Sequence, residues 1–353
     1  MSIFFAILIF SFLIFIHEFG HFITAKLSGV QVNEFSMFMG PAIFKKKKGE
    51  TLYSIRCIPI GGYCAMEGED GESDNPRAFG KAAWWKRLII LVAGAAMNFI
   101  AGYLIMVIVL SCMQTAIPQI DFLRTGSTLA EPGGLIAGDT IVEVNGMTIE
   151  TTTDFNRALE ENADSTIFDI VVLRDGQQLY LQNVVMEAKE FPANEEGDAG
   201  LFYGIRWATR KLTVTEVIVG AWEECLYFVQ IVWMSLGALL TGQAGLGDML
   251  GPVGIVQQLG QVANTAPTAL DAVIYLLSNG ALIAVNLAVM NLLPIPALDG
   301  GRVVALLLTT AYESITHKKL DPKYEGYLHA AGMILLLGLM AVIMLKDIIF
   351  IFK

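Results

Sequence analysis

Residues 3–23 read IFFAILIFSFLIFIHEFGHFI. From Ile3 to Ile16 the run is apolar except for Ser11, and the pattern continues through Phe22 and Ile23. A helix needs about 20 apolar residues to cross a bilayer core, so this stretch has the length of a span. No Lys or Arg precedes Lys26 and no small-residue cleavage site follows, so a retained transmembrane helix is expected rather than a signal peptide. Inside the apolar pattern sit His17, Glu18 and His21. Ionisable groups at membrane depth are costly and point to function; packing of a polar trio in a helix bundle is the plainer reading. Their order is H-E-x-x-H. Imidazoles at i and i+4 stack on one helical face, where both can hold one Zn2+. Glu18, beside the first of them, is placed to take a proton from an attacking water.

The rest of the composition agrees with a membrane setting. Of 353 residues, 54% are hydrophobic and 16% charged, against about 25% charged in soluble domains. This excludes a wholly soluble protein and a disordered one. A net charge of −11 argues against a nucleic-acid partner. Residues 114–214 hold 16 acidic and 7 basic residues, as a water-exposed domain would. Cys57, Cys64, Cys112 and Cys225 form no CxxC and no metal-finger spacing, so no disulfide framework is expected.

Further apolar runs lie at Leu88–Met113, Ala272–Leu298 and Tyr327–Phe352. The expected fold is a polytopic α-helical membrane protein with four transmembrane helices, at 1–27, 88–113, 272–301 and 327–353. Val217–Leu240 is also apolar but carries Glu223 and Glu224 in its first half. It is expected to be interfacial or re-entrant, within a linker at 191–271. Lys45–Lys48, Arg56, Arg77, Lys81, Lys86 and Arg87 concentrate in 28–87, and Arg302, Lys318, Lys319 and Lys323 in 302–326. Positive-inside bias makes both segments cytoplasmic and puts 114–190 and the termini outside. Trp84 and Trp85 suit an interfacial anchor. Lys45–Lys48 reads as a solvated turn attracted to anionic lipid ahead of a phosphate site.

Two segments break the helical pattern. Tyr53–Met66, YSIRCIPIGGYCAM, reads as a strand and turn dipping toward the membrane. Such backbone persists there only when buried in protein or lining a cavity. Residues 114–190 read as a small α/β module. Gly138–Gly146 is a strand closed by an Asn-Gly turn, Thr153 or Asp154 can cap a helix running to about Glu161, and Ile167–Arg174 with Gln177–Val185 forms a hairpin across Asp175-Gly176. The G-D-x-I-x-x-x-N-G run resembles a PDZ domain, a fold that adds extended peptides to a sheet edge. The candidate edge lies near Ile120–Leu123; a purely steric gate is the other reading.

A catalytic zinc needs three protein ligands and an open position. His317 falls in a basic loop and His329 starts the last span, so Asp299 is the better third ligand. It lies in NLLPIPALDGG, residues 291–301, where Pro294 and Pro296 break the helix and let the chain approach a cavity.

H-E-x-x-H in a first span, N-x-x-P-x-P-x-L-D-G in a late one and a PDZ-like insert between them resemble the bacterial site-2 protease family. Pro59–Met66, Asn98 and Gly251–Gly254 also match its patterns. The resemblance implies a zinc-dependent intramembrane metalloprotease, with zinc held by His17, His21 and Asp299 and with Glu18 as general base. It implies a membrane-associated β-loop around Ile55–Met66, including Ile58, Gly61, Gly62 and Tyr63, that aligns an unwound substrate helix as an added strand. Asn291 matches a position linked to substrate contact, and Pro294 and Pro296 are partners for the same extended segment. The implied setting is the bacterial cytoplasmic (inner) membrane, with the active site toward the cytoplasm. The implied partners are the lipid bilayer and single-span membrane proteins already shortened outside, such as anti-sigma factors or remnant signal peptides. Three departures stand out: Met37-Phe38-Met39-Gly40 replaces a glycine-rich run, Ala95 replaces a proline, and there is one PDZ-like module where some relatives have two. Two other readings exist. A non-catalytic receptor would show a closed four-ligand metal site, and a metal transporter would need polar residues along a whole pathway.

Overall fold

In a bilayer core the backbone has no water to bond, so apolar runs close their hydrogen bonds inside helices. The computed structural model describes residues 2–69, 71, 73–130, 134–192, 200–245, 251–317 and 322–351. Two compact units emerge, Met1–Leu110 with Thr215–Lys353, and Ser111–Val214.

The first unit holds helices α1 (Ser2–Ser28) and α2 (Trp84–Cys112). After residue 213 come α4 (Val214–Leu240), α5 (Pro252–Thr265), α6 (Ala269–Asn291), α7 (Asp299–Thr316) and α8 (Pro322–Ile351), α3 belonging to the second unit. Among the described residues five helices have the length and apolarity to cross a membrane: α1, α2, α4, α6 and α8. Four spans were expected, with 217–240 interfacial or re-entrant; α4 has the length and apolarity of a fifth. Its two glutamates do not interrupt packing, because Glu223 and Glu224 are exposed while Val217, Ala221 and Cys225 form a buried i, i+4, i+8 stripe. Ala221 and Cys225 join Met106 and Val109 of α2 and Ala281 and Val285 of α6 in one cluster. Small residues let α2 and α6 approach closely: a Cβ on Gly102 would lie 3.0 Å from Val285 and 3.1 Å from the Ala281 carbonyl. Asp347 of α8 is buried and accepts the Gly254 N–H, 2.9 Å away, at the start of α5. The side chain of His329 lies outside the described residues.

Two expectations about the late chain change. The span expected to continue to residue 301 ends as α6 at Asn291, and Asp299 opens a separate helix. The segment expected as a cytoplasmic loop from 302 is therefore helical to Thr316, where His317 closes it in a left-handed conformation at φ 56°. Its polar residues hid an apolar repeat that buries Leu306.

Between α1 and α2 lie β1 (Val32–Lys48) and β2 (Thr51–Met66), two long strands that fold back on themselves. Residues 32–37 pair with 62–66, and residues 34–37 also lie beside 52–55, while 42–48 pair with 51–56. The inner face packs Val32, Phe35, Cys64 and Met66 on Ala25 of α1 and Ile90 of α2, with the Phe35 ring 4.8 Å from that of Phe22. Lys45–Lys48 form the exposed far end. Glu50 ties it back to the helices, bonding Lys26 at 2.6 Å and also Arg77. Those two cations hold the Glu50 carboxyl at about 2. A lowered carboxyl stabilises the fold above its unfolded value of about 4.5, and the contribution is lost as pH falls toward 2. Because the pair is partly solvated, Glu50→Gln is expected to cost only about 0.5–1 kcal/mol at pH 7. Faster amide hydrogen exchange at Thr51–Ser54 would record it.

The second unit contains β3 (Gln114–Leu123), β4 (Thr140–Val144), β5 (Met147–Thr148), α3 (Thr152–Glu161), β6 (Ile167–Arg174), β7 (Gln177–Val185), β8 (Lys189–Phe191), β9 (Gly200–Phe202) and β10 (Ile205–Lys211). Its main sheet has the order β10-β3-β4-β6-β7, with β5 on β4. Both expected turns form, with φ positive at Asn145 and Gly146 and at Asp175 and Gly176. The helix cap is Thr151, in a reciprocal capping box with Asp154, rather than Thr153 or Asp154 alone. The expected edge at Ile120–Leu123 is covered on its outer side by β10, so the outer strands are β10 and β7. The covering strand comes from residues about 80 positions later, beyond the expected limit at 190, and local pattern cannot show that pairing.

Candidate metal centre

The helical rise that carries His17 and His21 on one face of α1 turns both toward α2 and the start of α7. Their Nε2 atoms are 3.2 Å apart, and Asp299 Oδ2 lies 3.2 Å from the first and 3.4 Å from the second. Among the described residues this is the one set of His, Cys, Asp and Glu atoms close enough to share a metal ion, all within 4.8 Å of one another. His21 Nδ1–H donates to the Ile90 carbonyl at 2.8 Å, so in the neutral ring the lone pair is on Nε2. Asp299 Oδ2 is buried and makes no hydrogen bond. Acceptor atoms therefore converge on one point, an arrangement that a cation stabilises. Ligands about 2.0–2.1 Å from a tetrahedral zinc lie about 3.3 Å apart, which is the observed spacing. Zinc fits.

Backbone proximity makes the convergence possible. A Cβ on Gly20 would lie 2.9 Å from the Met97 side chain and would also meet the Ala93 carbonyl, and one on Gly94 would overlap His21 Nε2 and come within 2.7 Å of His17 Cε1. The placement of Asp299 depends on glycine as well. Gly300 and Gly301 press the first turn of α7 onto the carbonyl groups of the Leu292–Ile295 break, and Ala297 takes φ 78° to turn the chain. Arg302, one turn into α7, forms an ion pair with Glu69 just beyond β2, joining the helix of Asp299 to the sheet.

The expected substrate residues divide. Gly62 lies beside Glu18: a Cβ there would be 3.4 Å from Glu18 Cγ and 3.1 Å from the Ser36 carbonyl. Asn291 Nδ2 lies 3.4 Å from His17 Nδ1. Gly61, at φ 81°, packs on Met39, and Ile58 is 46% exposed beside Gly40. Alternation along β2 turns Tyr63 to the other side from Gly62, where its hydroxyl accepts from Arg56 and the guanidinium also bonds Glu34 at 2.8 Å. Pro296 packs against Gly332 of α8, and Pro294 lies in the break before it. Sequence reasoning missed Gly94, the Ile90 carbonyl and the Arg302–Glu69 pair. The small-residue run at 93–96 was a usable signal for the first; nothing in the sequence marked the other two.

Residues 5–339 match the pattern of Peptidase family M50. A Clostridium acetobutylicum protein with a zinc-metalloprotease designation is 37% identical over 352 residues, covering 98% of this chain and 96% of its own. The zinc metalloprotease RasP of Bacillus licheniformis is 30% identical, with 97% of each chain covered. The regulator of sigma-W protease RasP of Bacillus subtilis is 28% identical, again with 97% of each covered.

Proposed function

The chain belongs to peptidase family M50 and is a zinc metalloprotease, and from that premise we propose that it cleaves peptide bonds within or beside the membrane span of single-span proteins. The observation that carries this reading is the His17–His21–Asp299 cluster, whose two histidines sit in a helix apolar and long enough to span. Three ligands with no fourth among the described residues suit a catalytic centre better than a closed structural one. Bound there, zinc would polarise the scissile carbonyl and acidify a water.

The chain's own groups do the rest. A Glu18 carboxylate oxygen takes the proton from the attacking water and returns it to the leaving amine. A helical peptide bond is shielded by its own turn, so the substrate must unwind. Gly62, lying against Glu18, supports β2 as the edge along which an extended segment aligns. Asn291 and the Pro294–Pro296 break border the opposite side of that segment. Loops rich in lysine and arginine support a cytoplasmic location for β1–β2, with the PDZ-like unit outside. The Bacillus subtilis relative is named for regulating sigma-W; carried to this chain, that name makes an anti-sigma factor one candidate substrate and a remnant signal peptide the other.

The test is cleavage of a purified single-span protein co-reconstituted in liposomes. Mass spectrometry of the products is expected to place the cut inside or at the edge of the span, with the reaction stopped by a zinc chelator and restored by zinc. Cuts confined to soluble tails, or chelator-insensitive cleavage, would refute the reading.

A further inference from the structure

A histidine that gives one ring nitrogen to a metal carries its proton on the other, and that N–H needs an acceptor to fix the ring. His21 meets the condition through Ile90. His17 also turns Nε2 toward Asp299, which leaves its Nδ1–H to be satisfied. Two carboxamides stand there, with Asn98 Nδ2 at 3.5 Å and Asn291 Nδ2 at 3.4 Å. They are not equivalent. Asn98 is 1% exposed in the middle of α2, and its Oδ1 is buried without a hydrogen-bond partner among the described residues. An orphaned buried acceptor costs about 1–3 kcal/mol. Asn291 is half-buried at the last turn of α6, where the chain unwinds. A half-turn of the Asn98 amide about its terminal bond, which exchanges two ends of nearly equal size, brings the orphaned oxygen to the His17 N–H.

We propose that Asn98 is a positioning residue of the metal centre: its Oδ1 accepts the His17 Nδ1–H and so holds Nε2 toward zinc. The inference rests on His17, His21 and Asp299 being the ligands. Ile90, Gly94 and Asn98, each four residues from the next and all buried, then form one continuous face of α2. A carbonyl orients one imidazole, a missing side chain makes room for both, and an amide orients the other. Asn291 is left free to meet the substrate.

Zinc affinity, measured by chelator competition on purified protein, tests this apart from activity. Asn98→Leu is expected to weaken zinc binding about 10- to 100-fold. Asn98→Asp, which can only accept, is expected to stay within a few-fold of wild type, as is Asn291→Ala. If Asn98→Leu does not fold, Asn98→Ala takes its place, with the melting temperature of the zinc-free form recorded to separate lost folding from lost binding. Wild-type affinity in the leucine or alanine variant overturns the proposal. So does an aspartate variant as weak as leucine, since the amide would then act as a donor. Unchanged affinity in His17→Ala would instead refute the ligand set, and the proposal with it.

Discussion

Glu18→Gln is expected to bind zinc as the wild type does and to cleave about 10²- to 10⁴-fold more slowly. The two results belong together. Glu18 is next to His17 in the chain but is not one of the three groups whose ligand atoms converge, so removing its charge leaves the donor set whole. Glutamine matches glutamate in shape and fills the same space beside Gly62, yet its amide cannot accept the proton of the attacking water. The loss corresponds to about 3–5 kcal/mol of barrier. The variant should also trap substrate, so crosslinking it in cells and identifying the captured proteins would name them. A wild-type rate would remove Glu18 from the reaction, and loss of zinc would make it a ligand instead.

Gly94→Ala is expected to lower zinc content to below about a tenth of wild type while leaving most of the fold in place. Overpacking usually costs about 1–3 kcal/mol, but here the added methyl meets the two histidines of the proposed metal centre. It would overlap His21 Nε2 and lie within 2.7 Å of His17 Cε1. Backing α2 away would unpack Ile90, Leu91 and Ala95, which are buried around Gly94. The imidazoles must therefore rotate out of register with Asp299. Gly102→Ala is the control: its methyl would meet Val285 and the Ala281 carbonyl, so stability should fall while zinc content per folded molecule holds. Full zinc occupancy in Gly94→Ala would mean that α1 and α2 lie further apart than described.

These residues show why parts of the molecule were readable in advance and others were not. His17, Glu18 and His21 stood out because charge in an apolar run violates its surroundings, and Asp299 because two prolines announce a break. Each signal is local. Whether Asp299 ends one helix or begins another depends on Gly300 and Gly301 packing on carbonyl groups, which no local pattern encodes. The same limit explains β10, a strand paired with one about 80 residues earlier. It explains Asn98 too, a lone polar residue whose meaning lies in an imidazole on another helix. With α4 the two signals point in different directions. Two glutamates suggest an interfacial or re-entrant helix, while its length, apolarity and intact buried stripe are those of a span, with both glutamates on the exposed side.

That Asp299 opens α7 has a consequence for the order of synthesis. His17 and His21 leave the ribosome roughly 280 residues before Asp299, which at about 5–20 residues per second is a delay of roughly 15–55 s. Throughout that interval the first helix holds two of the proposed donors without Asp299. The chain then has to build α7 onto the finished proline break before the metal centre can close. With His17, His21 and Asp299 as the proposed ligands, the protease stays inert while the spans that precede α7 are emerging beside it, and gains its metal centre only after Asp299 has been made.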